Sequence, residues 1–273
     1  MSAWLMRPLP MAISSPLVVP TAANLADPDP RLVLEVGSTA PWAIPIDADL
    51  GGDWPVDTIA ILYHSGPAGG LWRVHAQTAA QGPFGVYGSE PIESRLWEWA
   101  EWRSVPTFQA SRFHGLRELP EPISCRYLRV EIYWPLAQQI APYPFRAGVL
   151  AIGRRLQPGG AAGGFDWGAG RRVLDLSEVR VLPGGGRGRW QRARVPEVRG
   201  SFSQLTDAEL AEFWDLQLAV GESGPVLLVE APDTRGALGL HDRIHYGTLT
   251  SLDFYERRQA DKNRVDIRLV HWL

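Results

Sequence analysis

The 273-residue sequence has one cysteine, Cys125, and one lysine, Lys262. A single cysteine excludes an internal disulfide, so stability has to come from packing or from assembly with other chains, as suits synthesis in a reducing cytosol. No apolar run of about 18 residues is present, and we therefore expect no membrane span. The first residues are apolar, but they are interrupted by Pro8, Pro10 and Pro16 and lack a clean cleavage site, so a signal peptide is not predicted.

The sequence also lacks an excess of positive charge and the common catalytic motifs. It has 27 basic and 30 acidic residues, a net charge of −3, which excludes a global positive field for nucleic acid. There is no G-x-S-x-G, P-loop, G-x-G-x-x-G or C-x-x-C pattern. We predict no catalytic residue, no cofactor and no enzyme activity, with hydrolysis of surface glycans as the third-ranked alternative.

Two patterns are compatible with metal binding. His241 and His245 would share one face of a helix and could then hold zinc, but HDRIHYGTLT has the alternation of a strand, which places them about 13 Å apart. The four aspartates of IDADLGGDWPVDTIAIL are either calcium ligands or turn formers that bind backbone amides, and the turn is favoured. They are Asp47, Asp49, Asp53 and Asp57. No metal site is predicted.

Short runs rich in Val, Ile, Leu and aromatic residues recur between Gly and Pro clusters. They are Arg31–Val36, Thr58–Tyr63, Leu71–Ala76, Tyr127–Tyr133 and Gly148–Ile152. This spacing, without helical periodicity between the runs, predicts a β-sandwich or barrel over residues 1–155. Six glycines between residues 154 and 170 then predict a Gly-rich linker at 156–170.

Residues 171–273 are predicted to form a small β-sheet domain with one packed α-helix at about 207–220. Thr206 and Glu209 form a capping box, and Gly221 stands where the helix should end. The proposed apolar stripe of this helix is Leu210, Phe213, Trp214 and Leu218. The last strand should place Val265, Ile267 and Leu269 on its buried face. The fold class is mostly β.

Two further clusters are candidates for surface contacts. The stretch RLWEWAEWR contains Trp97, Trp99, Trp102 and Arg103, and exposed indole rings can stack on sugars or anchor an interface, although packing in the core is the favoured reading. The other cluster surrounds Trp190 with arginines, which indicates a solvated face or a subunit contact more than a nucleic-acid site. These are Arg187, Arg189, Arg192 and Arg194.

The order of motifs resembles a known fold. The D-L-G of Asp49, Leu50 and Gly51 followed by V-D-T-I-A-I-L, and then LWRVHAQ and RYLRVEI, is similar to discoidin-like, galactose-binding-like β-sandwiches. The resemblance implies a jelly-roll sandwich in which those three residues shape a turn and Ile59 and Ile61 fill the core. No loop matches a known sugar-binding set.

The whole sequence from about Asp27 onward resembles minor tail proteins of tailed bacteriophages. The residues that carry this are IAILYHS, WRVHA, YLRVEI and GVLAIGRRLQP, followed by the stretch from RGSFSQLTDAELAEFW to IHYGTLTSLDF. The resemblance implies a structural component of the distal tail, or tail tip, located in the virion and made in the cytoplasm of the bacterial host. Its expected partners are tail tube, hub, tape measure and fibre proteins and other copies of itself in a ring. The alternative is a carbohydrate-binding protein that recognises host surface glycans.

Overall fold

The computed structural model describes residues 3–16, 21–36, 43–65, 71–85, 95–101, 103–106, 113–133, 145–159, 163–166, 169–181, 183–230, 243–252, 255–259 and 262–272. These residues form mostly antiparallel β structure with a single α-helix, as the sequence predicts. No helix among them is both long and apolar enough to span a membrane.

The strands follow one another along the chain with one 3-10 helix, Ala22–Ala26, and one α-helix, α1 (Asp207–Val220). They are β1 (Ala3–Met6), β2 (Ala12–Ser14), β3 (Leu34–Val36), β4 (Ala43–His64), β5 (Leu71–Gln77), β6 (Arg95–Glu101), β7 (Arg103–Pro106), β8 (Phe113–Tyr133), β9 (Phe145–Ala147), β10 (Val149–Gly153), β11 (Arg155–Leu156), β12 (Gly170–Asp175), β13 (Glu178–Val181), β14 (Arg187–Trp190), β15 (Arg194–Leu205), β16 (Pro225–Glu230), β17 (Ile244–Leu252), β18 (Glu256–Gln259) and β19 (Lys262–His271).

The chain divides into two compact units. Unit 1 comprises Met1–Leu5, Leu156–Thr234 and His245–Leu273, and unit 2 comprises Met6–Arg155 and Arg235–Ile244. The domain boundaries predicted from the sequence, in contrast, place all of residues 1–155 in the first domain. Strand β1 explains the difference, because it pairs with β16 and β11 in the sheet of unit 1.

Unit 2 is built around two long paired strands, β4 and β8. Residues 43–49 of β4 pair with 127–133 of β8, and residues 54–64 pair with 113–125. Strands β2, β5 and β6 extend the first half, while β10 and β7 extend the second. Side chains of both halves fill one apolar core, among them Ile46, Val130, Ile59 and Ile61, all fully buried. The two halves therefore face each other as the layers of a sandwich.

Unit 1 has a sheet with the strand order β11-β1-β16-β17-β19-β15-β12, and β18 pairs with β19. In β19 the predicted alternation is confirmed, since Val265, Ile267 and Leu269 are buried while the residues between them are partly exposed. The segment predicted as a linker, 156–170, adds Leu156 and Phe165 to the core of this unit.

Helix α1 begins and ends where the sequence predicts. The Thr206 Oγ1 accepts the N–H of Glu209 at 3.3 Å, and Glu209 Oε2 accepts the N–H of Thr206 at 2.8 Å. These two bonds satisfy donors that the first turn leaves open. Gly221 follows the helix with a φ of 54°, a left-handed angle that favours glycine.

The predicted apolar stripe of α1 was partly wrong. Phe213, Leu216 and Val220 face the core, whereas Trp214 and Leu218 are 51% and 69% exposed. Residues 213, 216 and 220 are spaced by three and four, so they lie on one face of the helix, whereas Trp214 and Leu218 lie about 130° and 170° from the centre of that face. The four residues of the predicted stripe therefore do not lie on one face of the helix.

Candidate functional site

Strand β4 changes its register against β8 between Asp49 and Trp54. Within this bulge Gly51 has a φ of 75°, which a side chain would disfavour, and its N–H donates to Asp49 Oδ1 at 2.8 Å. The sequence predicted a turn between two strands at Asp49, Leu50 and Gly51. In the structure the segment is a bulge inside one long strand, because pairing with β8 resumes at Trp54.

The carboxylate of Asp49 is also bound by Arg126. The Arg126 Nε and Nη2 atoms donate to its two oxygens at 2.8 and 3.1 Å, and the guanidinium lies 4.8 Å from the centre of the Tyr127 ring. The side-chain bond from Arg126 is the main cause that holds the pKa of Asp49 below its ordinary value. Asp49 is therefore ionised at neutral pH, and both ends of the pair are fixed.

Trp54 stands at the end of the bulge with 41% of its surface exposed. Its indole Nε1 donates to the carbonyl oxygen of Leu50 at 3.2 Å. Asp53 Oδ1 accepts the N–H of Ala79 at 2.8 Å, which ties the bulge to the turn after β5. We call residues 49–54 together with Arg126 and Tyr127 the bulge rim; it combines one exposed ring, two carboxylates and one guanidinium.

A buried ionic layer lies beside the bulge rim on the same pair of strands. Arg129 is fully buried, and its Nε and Nη2 donate to Asp47 at 2.6 and 2.8 Å. Its Nη2 also donates to the carbonyl of Gly85 at 3.1 Å, and its guanidinium lies 4.9 Å from the centre of the Phe84 ring. A buried charge needs such partners, so these contacts hold the segment that contains Phe84 on the sheet.

The same layer contains a second acidic group, Glu131, which is fully buried. Arg73 Nη2 lies 2.6 Å from its Oε2, and His75 Nε2 lies 3.1 Å from its Oε1. Burial alone would raise the pKa of Glu131, but the bonds from His75 and Arg73 outweigh it and hold the pKa below its usual value. Glu131 is thus a fixed anion that stabilises the layer.

The predicted contact residues are only partly described. Trp97 and Trp99 lie in β6, and Arg103 begins β7. Trp97 is the register partner of Val74 in β5. Trp102 lies outside the described residues, as do the side chains of the other three, so their role in binding stays a prediction.

The four aspartates of the segment IDADLGGDWPVDTIAIL bind protein groups. Asp57, the deepest of the four, accepts the N–H of Arg155 at 2.9 Å and the hydroxyl of Thr58 at 2.9 Å. Within the described part of the chain, no three His, Cys, Asp or Glu side chains converge as a metal would need. His241 falls outside that part.

Unit 1 contains a buried polar chain that sequence reasoning missed. His245 Nδ1 and His271 Nε2 are 2.8 Å apart, His245 Nε2 lies 3.0 Å from Glu230 Oε1, and Arg171 Nη2 lies 3.0 Å from Glu230 Oε2. Burial first, and then the charges of His245 and Arg171, lower the pKa of His271 to about 3. This histidine is therefore neutral in the folded protein near pH 7. The sequence indicates the burial of these two histidines only through their apolar neighbours in the strands.

Two arginines of the cluster around Trp190, Arg187 and Arg189, lie on a separate two-stranded hairpin formed by β13 and β14, while Arg194 begins β15. Val179 and Val181 are 59% and 74% exposed, and Trp190 is 48% exposed with the Arg180 guanidinium 5.6 Å from its ring centre. Glu178 pairs with Arg180 and Arg192 at 2.9 and 2.6 Å. We call residues 178–190 the exposed hairpin; it presents apolar side chains between positive charges.

The chain was compared with families, curated proteins and solved structures. No family model and no curated protein matches. Among solved structures, the chain is similar to CpGH89CBM32-6 of Clostridium perfringens, with 12% identity, a TM-score of 0.36, and coverage of 52% of this chain and 92% of the other. It is also similar to the family 32 carbohydrate-binding module of C. perfringens NanJ in complex with galactose, with 14% identity, a TM-score of 0.34, and coverage of 54% of this chain and 98% of the other. A third similar structure is a mutant form of chitosan-binding module 1 from a Paenibacillus sp. IK-5 chitosanase/glucanase. Its identity is 11%, its TM-score is 0.34, and the match covers 55% of this chain and 99% of the other. The similar structures are carbohydrate-binding modules, and membership of the phage tail proteins stays a prediction.

Proposed function

We propose that this chain binds carbohydrate through unit 2, at the bulge rim. The observation that carries the proposal is the state of Trp54, whose ring is 41% exposed yet held by its hydrogen bond to Leu50. A flat apolar ring that is already fixed can cover the apolar face of a sugar ring with little loss of rotamer freedom.

The neighbouring charges supply the polar contacts that a sugar needs. Asp49 and Asp53 each use carboxylate oxygens for bonds within the protein, but an ionised carboxylate has about four acceptor positions and can also accept from sugar hydroxyls. The Arg126 guanidinium has five N–H donors, of which two bind Asp49. An apolar platform bordered by a few fixed polar groups is the usual composition of a small-molecule site.

Calorimetric titration of the full chain tests this proposal. Galactose, the sugar in the NanJ complex, and chito-oligosaccharides are the first probes. We expect saturable binding by at least one of them and an affinity at least about tenfold lower in Trp54→Ala, because the stacking surface is lost.

Trp190→Ala is the matched control, since it removes a ring of similar exposure, 48%, from unit 1. It should bind the sugar as the unchanged protein does. The proposal is wrong if a broad panel of host glycans gives no binding, or if the two tryptophan variants lose affinity equally.

We propose a second role for unit 1, which is to join the chain to further copies in the tail tip of a tailed phage or prophage. The exposed hairpin favours it, because a two-stranded hairpin is marginally stable alone and its exposed apolar side chains are typical of interfaces. Residues 175–194 contain five arginines, one aspartate and one glutamate, a net charge of +3 in a chain of −3. The rest of another copy is therefore of opposite charge. In this role the sugar site would serve host attachment from the virion.

Light scattering after size-exclusion chromatography tests the second role. We expect the unchanged chain to form a closed oligomer and Val181→Asp to be monomeric. Leu218→Asp introduces the same charge at a site on α1 of similar exposure, 69%, and should stay oligomeric. A monomeric chain at every concentration tested would contradict the proposal.

A further inference from the structure

Three neighbouring strands of unit 1 place two arginines directly opposite each other. Arg199 of β15 is the register partner of Arg268 in β19 on one side and of Gly170 in β12 on the other. Like charges in such a cross-strand pair are destabilising. Because Gly170 has no side chain, the row remains open at the edge of the sheet.

A cavity of about 350 Å³ opens at this row. It is lined by Gly170, Arg171, Arg172, Glu197, Arg199 and Arg268. The carboxylate of Glu197, which is buried, pairs with Arg172 and with Arg268, both at 2.6 Å. Arg171 is paired with Glu230. The acidic groups of the cavity are thus already used to orient arginines.

The remaining positive charge has no acceptor. Four arginines stand against Glu197 and Glu230, which leaves a net charge of +2. Among the described residues the side chain of Arg199 has neither an ion pair nor a hydrogen bond, and the buried Nε of Arg268 has no acceptor. A buried donor without an acceptor is unfavourable, and an oxyanion in the cavity would supply an acceptor.

We propose that this cavity binds the phosphate group of a small phosphate monoester such as a sugar phosphate. A phosphate monoester carries close to two negative charges at neutral pH, which match the uncompensated +2. Planar guanidinium groups bind such oxyanions through pairs of parallel N–H bonds. The cavity is larger than a phosphate ion needs and falls in the size range of small-molecule sites, so it also accommodates the esterified group.

The test is calorimetric titration of the full chain, at constant ionic strength, with inorganic phosphate, glucose 6-phosphate and glucose. We expect glucose 6-phosphate to bind more tightly than inorganic phosphate, and glucose not to bind at this cavity. Arg199→Gln should lower the phosphate affinity at least about tenfold, while Arg199→Lys keeps part of it.

Arg31→Gln makes the same charge change on an exposed side chain of unit 2 and should bind as the unchanged protein does. Because Arg199 opposes Arg268, Arg199→Gln should have an unchanged or higher melting temperature without ligand, which shows that it folds. The proposal fails if neither phosphate ligand gives saturable binding, or if the Arg199 and Arg31 variants lose affinity equally. A loss of glucose 6-phosphate binding that Trp54→Ala causes and Arg199→Gln does not would assign it to the bulge rim and overturn the proposal.

Discussion

The buried histidine at the end of β19 should make the folded protein sensitive to mild acid. His271 has a pKa of about 3 when folded and an ordinary value of 6.5 in the unfolded chain. Between these values the unfolded state binds one more proton than the folded state, so the free energy of unfolding falls as the pH falls through 6.5 towards 3. From pH 7 to pH 5 this residue alone should remove about 2 kcal/mol, since each pKa unit is worth about 1.36 kcal/mol.

His271→Gln isolates this contribution, because glutamine does not titrate and can still bond to His245. Urea unfolding at pH 7 and pH 5 should show a fall in unfolding free energy that is about 2 kcal/mol smaller in His271→Gln than in the unchanged chain. In NMR spectra the His271 ring signal, assigned by its loss in the variant, should not shift from pH 8 to pH 5. Equal falls in the two proteins, or a ring titration centred near pH 6.5, would refute the reasoning.

Three other expectations follow from single positions. Cys125 is buried, and burial, followed by the charge of Asp53, raises the pKa of its thiol to about 12. Because the thiolate is the reactive form, iodoacetamide should modify Cys125 in the native protein about a thousandfold more slowly than in the urea-unfolded protein. Equal rates of modification, measured by mass spectrometry, would contradict this. Gly247→Ala should lower the unfolding free energy by about 3 kcal/mol, because an added Cβ overlaps the carbonyl of Val270 and lies 2.7 Å from its carbon. Gly184→Ala is the control, since the space around its added Cβ is open, and it should change the unfolding free energy by about zero. Thr206→Ala should cost about 1 kcal/mol in the same assay and Thr206→Ser much less, unless the cap bond does not form in solution.

Local features of the fold could be predicted from the sequence because they depend on neighbouring residues. The alternation in β19 and the capping box of α1 need only a short window of sequence, and both are confirmed. The bulge at Gly51 is a borderline case, since Asp and Gly favour turns and bulges for the same backbone reasons. Only the continued pairing of β4 with β8 distinguishes the two.

The contacts that build the sites could not be predicted in this way. Asp47 and Arg129 are 82 residues apart, and His245 and His271 are 26 apart. Periodicity tells which face of a strand is buried, but not which strand lies beside it. For the same reason the sequence indicated contact residues in the tryptophan-rich stretch around Trp97 and not at Trp54, whose ring is exposed and hydrogen-bonded to Leu50 in the structure.

The pairing of β1 with β16 has a consequence for biosynthesis. A ribosome adding about 5–20 residues per second makes β1 at once but reaches Pro225 only after roughly 10–45 s. The whole of Met6–Arg155 leaves the ribosome in that interval and can acquire its structure before the sheet of unit 1 has its central strands. Since β1 and β11 are adjacent in that sheet, the chain segment between them begins and ends at neighbouring strands of unit 1. Replacing the segment Met6–Arg155 at these two points would therefore leave β1 and β11 as neighbouring strands in the sheet of unit 1.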